Sequence, residues 1–190
     1  MVFYTADHHF GHGNIIRHCK RPFSSVEDMD AALINNWNVS VGQNDRVYIL
    51  GDLFFRPTIP AEVYLQKLNG RKHLIPGNHD FTWMKGLAMS DYFEAVTNIL
   101  EIVDDGNHIV LYHAPPDDDL ADWSSTPEYC YMVHGHIHNN TDTDIFPIIR
   151  NIPNILNAGV DINHFRPVTF QELIINNKIF KKNREISKIY

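Results

Sequence analysis

Along this chain, short runs of β-forming residues end repeatedly in a carboxylate, an amide or an imidazole. Residues 2–6 lead into Asp7-His8-His9, and residues 45–50 into Gly51-Asp52. Residues 72–76 lead into Gly77-Asn78-His79-Asp80, residues 109–112 into His113, and residues 129–133 into His134-Gly135-His136-Ile137-His138. Strands this short and this apolar must be buried in a sheet. Their polar ends then gather where the strands stop, which is where open α/β sheets hold ligands. Helix-patterned segments separate the first three runs, so parallel strands with crossover helices are expected.

The connecting segments fit that frame. Val26, Met29, Ala32, Leu33 and Trp37 recur at helical spacing, with Ser24 or Ser25 as the start. A helix from about residue 60 to 68 stops at Asn69-Gly70, and a short one is expected at 83–88. From Phe93 the pattern turns β-rich. Residues 95–103 and 109–112 read as strands, and Asp104-Asp105-Gly106-Asn107 between them signals a hairpin. The acidic run 117–123 reads as a solvated loop, or else as a lid. Residues 154–157 suggest a short strand, and 170–175 a short helix or a strand. The basic tail 178–190 is expected as an edge strand with a frayed end. No linker interrupts the chain, so one domain, 1–190, is expected.

Formal net charge is −7 with histidine neutral, which argues against broad, non-specific binding to nucleic acid or an anionic membrane. Cys19 and Cys130 are the only cysteines, so a disulfide framework is not expected and a reducing, cytoplasmic setting is. The opening residues lack the basic and apolar regions of a signal peptide, and no apolar run reaches membrane-spanning length.

The compositional anomaly is 12 histidines. Asp7 and His9, two apart, can face one point, which turns His8 away into packing or solvent. His12 and Asn14 are either turn and cap residues or contacts for a phosphate near a helix N-terminus. The histidines at 134, 136 and 138 follow an apolar run, as a metal site would, but Gly135 marks where the backbone leaves the sheet, so they need not act alike.

Taken together, Asp7-x-His9, Gly51-Asp52, Gly77-Asn78-His79-Asp80, His113 and Gly135-His136-x-His138 resemble, block for block, the signature of the calcineurin-like metallophosphoesterase superfamily. The opening Thr5–His12 run, with Asn157-Ala158-Gly159-Val160-Asp161 and Arg166-Pro167-Val168, is similar to a small bacterial and phage subgroup of phosphoesterases. The resemblance implies an α/β fold, a four-layer αββα sandwich of two mixed β-sheets flanked by helices, with the site at one edge of the sheets. It implies two divalent transition-metal ions. One is held by Asp7, His9, Asp52 and His138, and the other by Asp52, Asn78, His113 and His136, with Asp52 bridging. Nitrogen and oxygen ligands without thiolates favour manganese, with iron, zinc or nickel as alternatives.

By the same resemblance a hydroxide bridging the metals hydrolyses a phosphate ester, and His79 protonates the leaving oxygen or binds a phosphoryl oxygen. Protein-phosphatase members orient that histidine with an aspartate three residues after the bridging one. Here the position is Phe55. Their pair of phosphate-binding arginines is also not visible, so a phosphodiester or nucleotide-type small substrate is expected. A phosphomonoester, single-stranded nucleic acid, or a non-catalytic scaffold role are the alternatives. His12, Asn14, Arg17 and Arg21 are the candidate substrate contacts, and Lys20, Arg71 and Lys72 join Arg17 and Arg21 if the partner is nucleic acid. Asp80 caps the following turn, and His134 either supports a ligand or packs. His18, His73, His108 and His164 are ordinary side chains.

Overall fold

The structure, a computed structural model, describes residues 1–116 and 127–182. The acidic run at 117–123 and the last part of the tail therefore lie outside the described residues. Strands β1 (Val2–Thr5), β2 (Arg46–Ile49), β3 (Arg71–Leu74) and β4 (Ala95–Val96) form one sheet in that order, all parallel. Strands β5 (Ile99–Asp104), β6 (Asn107–Tyr112), β7 (Cys130–His134) and β8 (Ile155–Asn157) form the other. There β5 runs antiparallel to β6, while β6, β7 and β8 are parallel. The helices are α1 (Gly13–His18), α2 (Val26–Ser40), α3 (Ala61–Leu65), α4 (Asp80–Trp83), α5 (Phe146–Ile149) and α6 (Phe170–Lys182).

Strand alternation sorts the core into layers. Phe3, Val47, Ile49 and Leu74 point outward from the first sheet onto Ile15, Met29, Leu33, Trp37 and Leu65 of α1–α3. Their strand neighbours Tyr4, Tyr48, Leu50 and Ile75 point inward and meet Ile109, Leu111, Val133 and Leu156 of the second sheet. Phe170 and Leu173 of α6 pack into the same inter-sheet core. Met132 and Ile155 face out again, onto Phe146 and Ile149 of α5. This is the expected four-layer sandwich, with one sheet wholly parallel and the other mixed. Trp37 anchors the helical layer, fully buried with Nε1 donating to Asn69 O at 2.9 Å. Truncating a core aromatic of this kind costs about 3–5 kcal/mol.

The serine start of α2 is as expected: Ser25 Oγ accepts from Asp28 N at 3.1 Å. The hairpin is also as expected, with φ of 50° at Asp105 and 77° at Gly106, the left-handed pair a tight turn needs. The single strand expected at 95–103 is two. β4 belongs to the first sheet and β5 to the second, so the chain crosses between sheets at Thr97-Asn98. Period-two alternation marks a strand but not the sheet that takes it. The helix expected at 83–88 sits earlier, at Asp80–Trp83. Residues 170–182 are one helix rather than a short element and an edge strand, because Phe170, Leu173 and Asn177 repeat on one buried face. No helix among the described residues is long and apolar enough to cross a membrane.

Candidate metal centre

The tips of β1 and β2 stay zipped together beyond the strands. Asp7 N donates to Gly51 O at 3.0 Å, His9 N to Asp52 O at 3.1 Å, and Phe10 N to Leu53 O at 3.0 Å. Gly135 N reaches His113 O at 2.9 Å, and Val160 N reaches Ala6 O at 3.1 Å. Both sheets thus present their C-terminal strand ends along one edge. Asp7, His9, Asp52, His136 and His138 all adopt left-handed backbone, with φ of 59°, 53°, 51°, 72° and 53°. Each such residue costs about 1 kcal/mol or more and persists only where its surroundings hold it. At these positions the turn aims the side chain into the cleft instead of along the strand.

Two groups of ligand-competent atoms face the cleft, and a third, Cys19 with His138 and Asp161, lies on the other side of His138. Asp7, His9 and His138 bring theirs within 4.8 Å of one another, as do Asp52, His113 and His136. Asp52 Oδ2 links the groups, at 3.7 Å from His9 Nε2 and 3.6 Å from His113 Nε2. Asn78 joins the second, its Oδ1 3.2 Å from His113 Nε2 and 3.1 Å from His136 Nδ1. Close approach of the β2 and β3 tips requires glycine. A side chain at Gly77 would place its Cβ 2.3 Å from Asp52 Oδ1, and one at Gly51, where φ is +79°, 2.4 Å from Gly77 N.

The residues of both groups are held from behind. His113 Nδ1 lies 2.7 Å from Leu50 O, which turns Nε2 towards Asp52. His138 Nδ1 lies 2.9 Å from Asp161 Oδ2, and Asn157 Nδ2 donates to His138 O at 2.7 Å. Asp161 in turn accepts from Arg21 Nε and Nη2 at 2.8 and 2.9 Å. Arg21 also donates to His8 O and Asp7 O, each at 2.7 Å, and lies 3.4 Å from Met29 Sδ. Arg21, expected as a substrate contact, is therefore buried with its donors engaged, a brace between the β1 tip and the segment carrying Asp161. Asp80 does more than cap a turn. Its carboxylate accepts from Asp52 N and Gly77 N at 2.7 Å, Leu53 N at 3.0 Å and Trp83 Nε1 at 2.7 Å. It bolts the β2 and β3 tips together.

His8 faces away from the centre, stacked 5.3 Å from Phe10, and burial drives its imidazole down to about 3. His134 is buried too, its Nδ1 2.8 Å from Gly135 O, so it braces the turn. Asn14 is not the cap of α1. His12 occupies that position, and Asn14 Oδ1 accepts from Arg17 Nη2 at 3.0 Å within the first turn. A cleft of about 780 Å³ is lined by His9, His12, Asn14, Arg17, Asp52 and His79 among others. Behind two of these residues, Phe55 packs edge-on to His79 at 4.6 Å and lies 4.2 Å from His12. His79 Nε2 is 3.9 Å from Asp52 Oδ2. Lys72 is buried, with Nζ donating to Leu68 O and Gly70 O, and Arg71 lies 3.5 Å from Glu94.

The donor set fits divalent metal ions. Asp7 Oδ2 and both ring nitrogens of His9 are buried with no hydrogen-bond partner, a cost that coordination would remove. Burial pushes the Asp7 carboxyl up to about 6. At His138 burial opposes the cation, but Asp7 and Asp161 outweigh it and push the imidazole up to about 10. This pocket calls for positive charge. Imidazole, carboxylate and amide donors without a thiolate suit first-row transition metals.

No family model matches the chain. The uncharacterized protein MJ1445 of Methanocaldococcus jannaschii is 32% identical over 190 residues, spanning 99% of this chain and 96% of that protein. The gene 66 protein of Mycobacterium phage D29 is 29% identical, spanning 86% of this chain and 89% of its own. Among solved structures, the protein of unknown function AQ665 from Aquifex aeolicus superposes with a TM-score of 0.68 at 26% identity, over 90% of this chain and 96% of that one. Looser likenesses are to the Pseudomonas putida nuclease MPE (TM-score 0.43, 23% identity, 72% of this chain and 60% of that one) and to Yfce, a phosphoesterase from E. coli (0.34, 14%, 83% and 77%).

Proposed function

We propose that the chain is a calcineurin-like metallophosphoesterase, whose metal-ligand motifs it carries in full, and on that premise that it is a metal-dependent hydrolase of small phosphodiesters. The observation that carries this reading is Asp52 Oδ2, lying 3.6–3.9 Å from nitrogens of His9, His113 and His79, between two groups of ligand atoms. Asp7, His9, Asp52 and His138 would hold one ion, and Asp52, Asn78, His113 and His136 the other. When bound, the ions supply charge to a phosphoryl group and acidify water beside it, and the donor set favours manganese.

The chain's own groups do the rest. Arg17 and His12 line the cleft in front of Asp52 and are placed to hold the substrate's phosphate. His79 holds a proton for the leaving oxygen. Its ring is positioned by packing on Phe55 and by its backbone N–H, which donates to Asp52 Oδ1 at 3.0 Å. A single arginine lines this cleft among the described residues, too little fixed charge for a dianionic monoester and enough for a diester. Arg21 and Lys72 are buried, which removes two of the cations a nucleic-acid track would have used. Two free cysteines, one buried, fit a reducing compartment, and we place the protein in the cytoplasm.

The test is turnover of a chromogenic diester such as bis(4-nitrophenyl) phosphate with manganese. Asp52→Ala and His136→Ala should each lose roughly 10³-fold in rate. Either variant turning over like the wild type would overturn the reading.

A further inference from the structure

A second cleft, of about 720 Å³, adjoins the first along His18, His136 and His138. It lies on the Asp161 side of His138, where the first lies on the Asp52 side. His136, His138 and Asp161 form its inner wall, and the metal-ligand motifs do not account for the rest. Its walls come from the end of α1, from the segment after His138 and from the outer part of α6.

The lining has a definite chemistry. Ile137, Ile162, Ile179 and Phe180 supply apolar wall, and Asn139, Asn140 and Asn176 supply amides. Two of these amides are fixed in plane. Asn139 Nδ2 donates to Cys19 O at 2.9 Å, and Asn176 Nδ2 donates to Asn163 Oδ1 at 3.0 Å, which leaves each amide oxygen to accept from a ligand. Charge is nearly balanced. Lys20 faces Asp142 in sign, and Asp161 is neutralised by Arg21. A second anionic group would find no clamp here. An uncharged group with flat apolar faces and a hydrogen-bonding edge would find both of its needs met.

We propose that this second cleft binds the nucleoside arm of a nucleotide diester whose phosphorus sits at Asp52. The proposal rests on the hydrolytic reading above and deepens it. A diester carries a group on each side of phosphorus, and this centre has a cleft on each side of His138. A monoester would leave one of them without use.

Two measurements on the full-length, manganese-loaded protein separate the proposal from its premise. In the first, 4-nitrophenyl esters of methyl phosphate and of thymidine 5′-phosphate are compared in the wild type and in Ile179→Trp, which fills the cleft. The variant should raise KM for the nucleoside ester roughly tenfold or more and leave the methyl ester within about twofold. Equal effects on both esters, or on neither, overturn the cleft assignment. If the wild type hydrolyses neither ester, the hydrolytic reading fails, and the second measurement still decides the cleft. Thymidine 5′-monophosphate should bind the wild type roughly tenfold more tightly than methyl phosphate by calorimetry, and Ile179→Trp should erase that difference. Equal binding of the two ligands by the wild type overturns the proposal. Asn140→Ala, at an exposed position, serves as a gentler second variant and should weaken nucleotide binding alone.

Discussion

The two halves of the proposed metal centre are built on different principles. The half around Asp7, His9 and His138 is the more buried, and Asp7 Oδ2 and both ring nitrogens of His9 lack hydrogen-bond partners there. It is braced from behind by Asp161 and Arg21. The half around Asn78, His113 and His136 is more open. Asn78 and His136 are exposed, and their polar atoms already lie within hydrogen-bond distance of each other. Without an ion the buried half keeps unsatisfied polar groups, and the open half can satisfy its own. The difference teaches which ion should stay. The buried half should retain its metal, and the open half should exchange it with solvent and with incoming substrate.

The strongest way to break this contrast is to empty one half at a time. Asp7→Ala should lose about one equivalent of metal outright, and with it hydrolysis falls roughly 10³-fold. His136→Ala should keep one ion through chelator dialysis, measured by plasma mass spectrometry. If both variants dialyse to the same content, the halves are equivalent and the contrast is wrong.

Asp161→Asn probes the brace alone. It should weaken the tightly held ion by about 10–100-fold in chelator competition while leaving the looser one unchanged. Chain melting without metal is the control, since a purely structural role would shift melting and not the difference between the ions.

Asp80→Asn should act on both halves alike, because one carboxylate holds both the β2 and β3 tips. The buried change should cost about 2 kcal/mol and lower the melting temperature by about 5 °C. A loss confined to one ion would show that the tips are positioned separately.

The smallest effect is expected from Phe55→Asp. It places a carboxylate beside His79, on a position whose ring also lies 6.1 Å from that of His9. Both metal equivalents should remain and the rate should change by no more than about tenfold. Loss of an ion would mean that Phe55 holds the buried half closed.

What the sequence made legible was the row of strand tips, because a polar group after a β run has few other places to go. Asp7, His9, Asp52, Asn78, His113, His136 and His138 converge on that logic, and His8 turns away on it. Arg21 was misleading because a cation near a phosphate site suggests a contact, and burial leaves no local mark. Its partner Asp161 lies 140 positions away, beyond any periodic pattern. A signal for Asp161 existed nonetheless. It was already in view within the Asn157–Asp161 motif, and it stands just past the end of β8, so the strand-tip rule extended by one strand would have given it a role. Asp80 stood inside a recognised motif, but its four donors come from backbone and from Trp83, which spacing does not reveal. The split between β4 and β5 was hidden for a similar reason, since both pieces look like strand and only pairing separates them.

The brace from Arg21 to Asp161 sets an order on how the molecule is made. During synthesis every proposed ligand has emerged once His138 has, yet the chain is still without the carboxylate that aims His138 and without Val168, which closes the free edge of β1. The nascent protein therefore carries a full set of metal-seeking side chains on a sheet whose edge is open. Ions acquired at that stage would be held by unaimed groups and readily lost. Tight binding of the proposed ions would therefore await residues 157–168, which bring Asp161 against His138 and Val168 against the first strand.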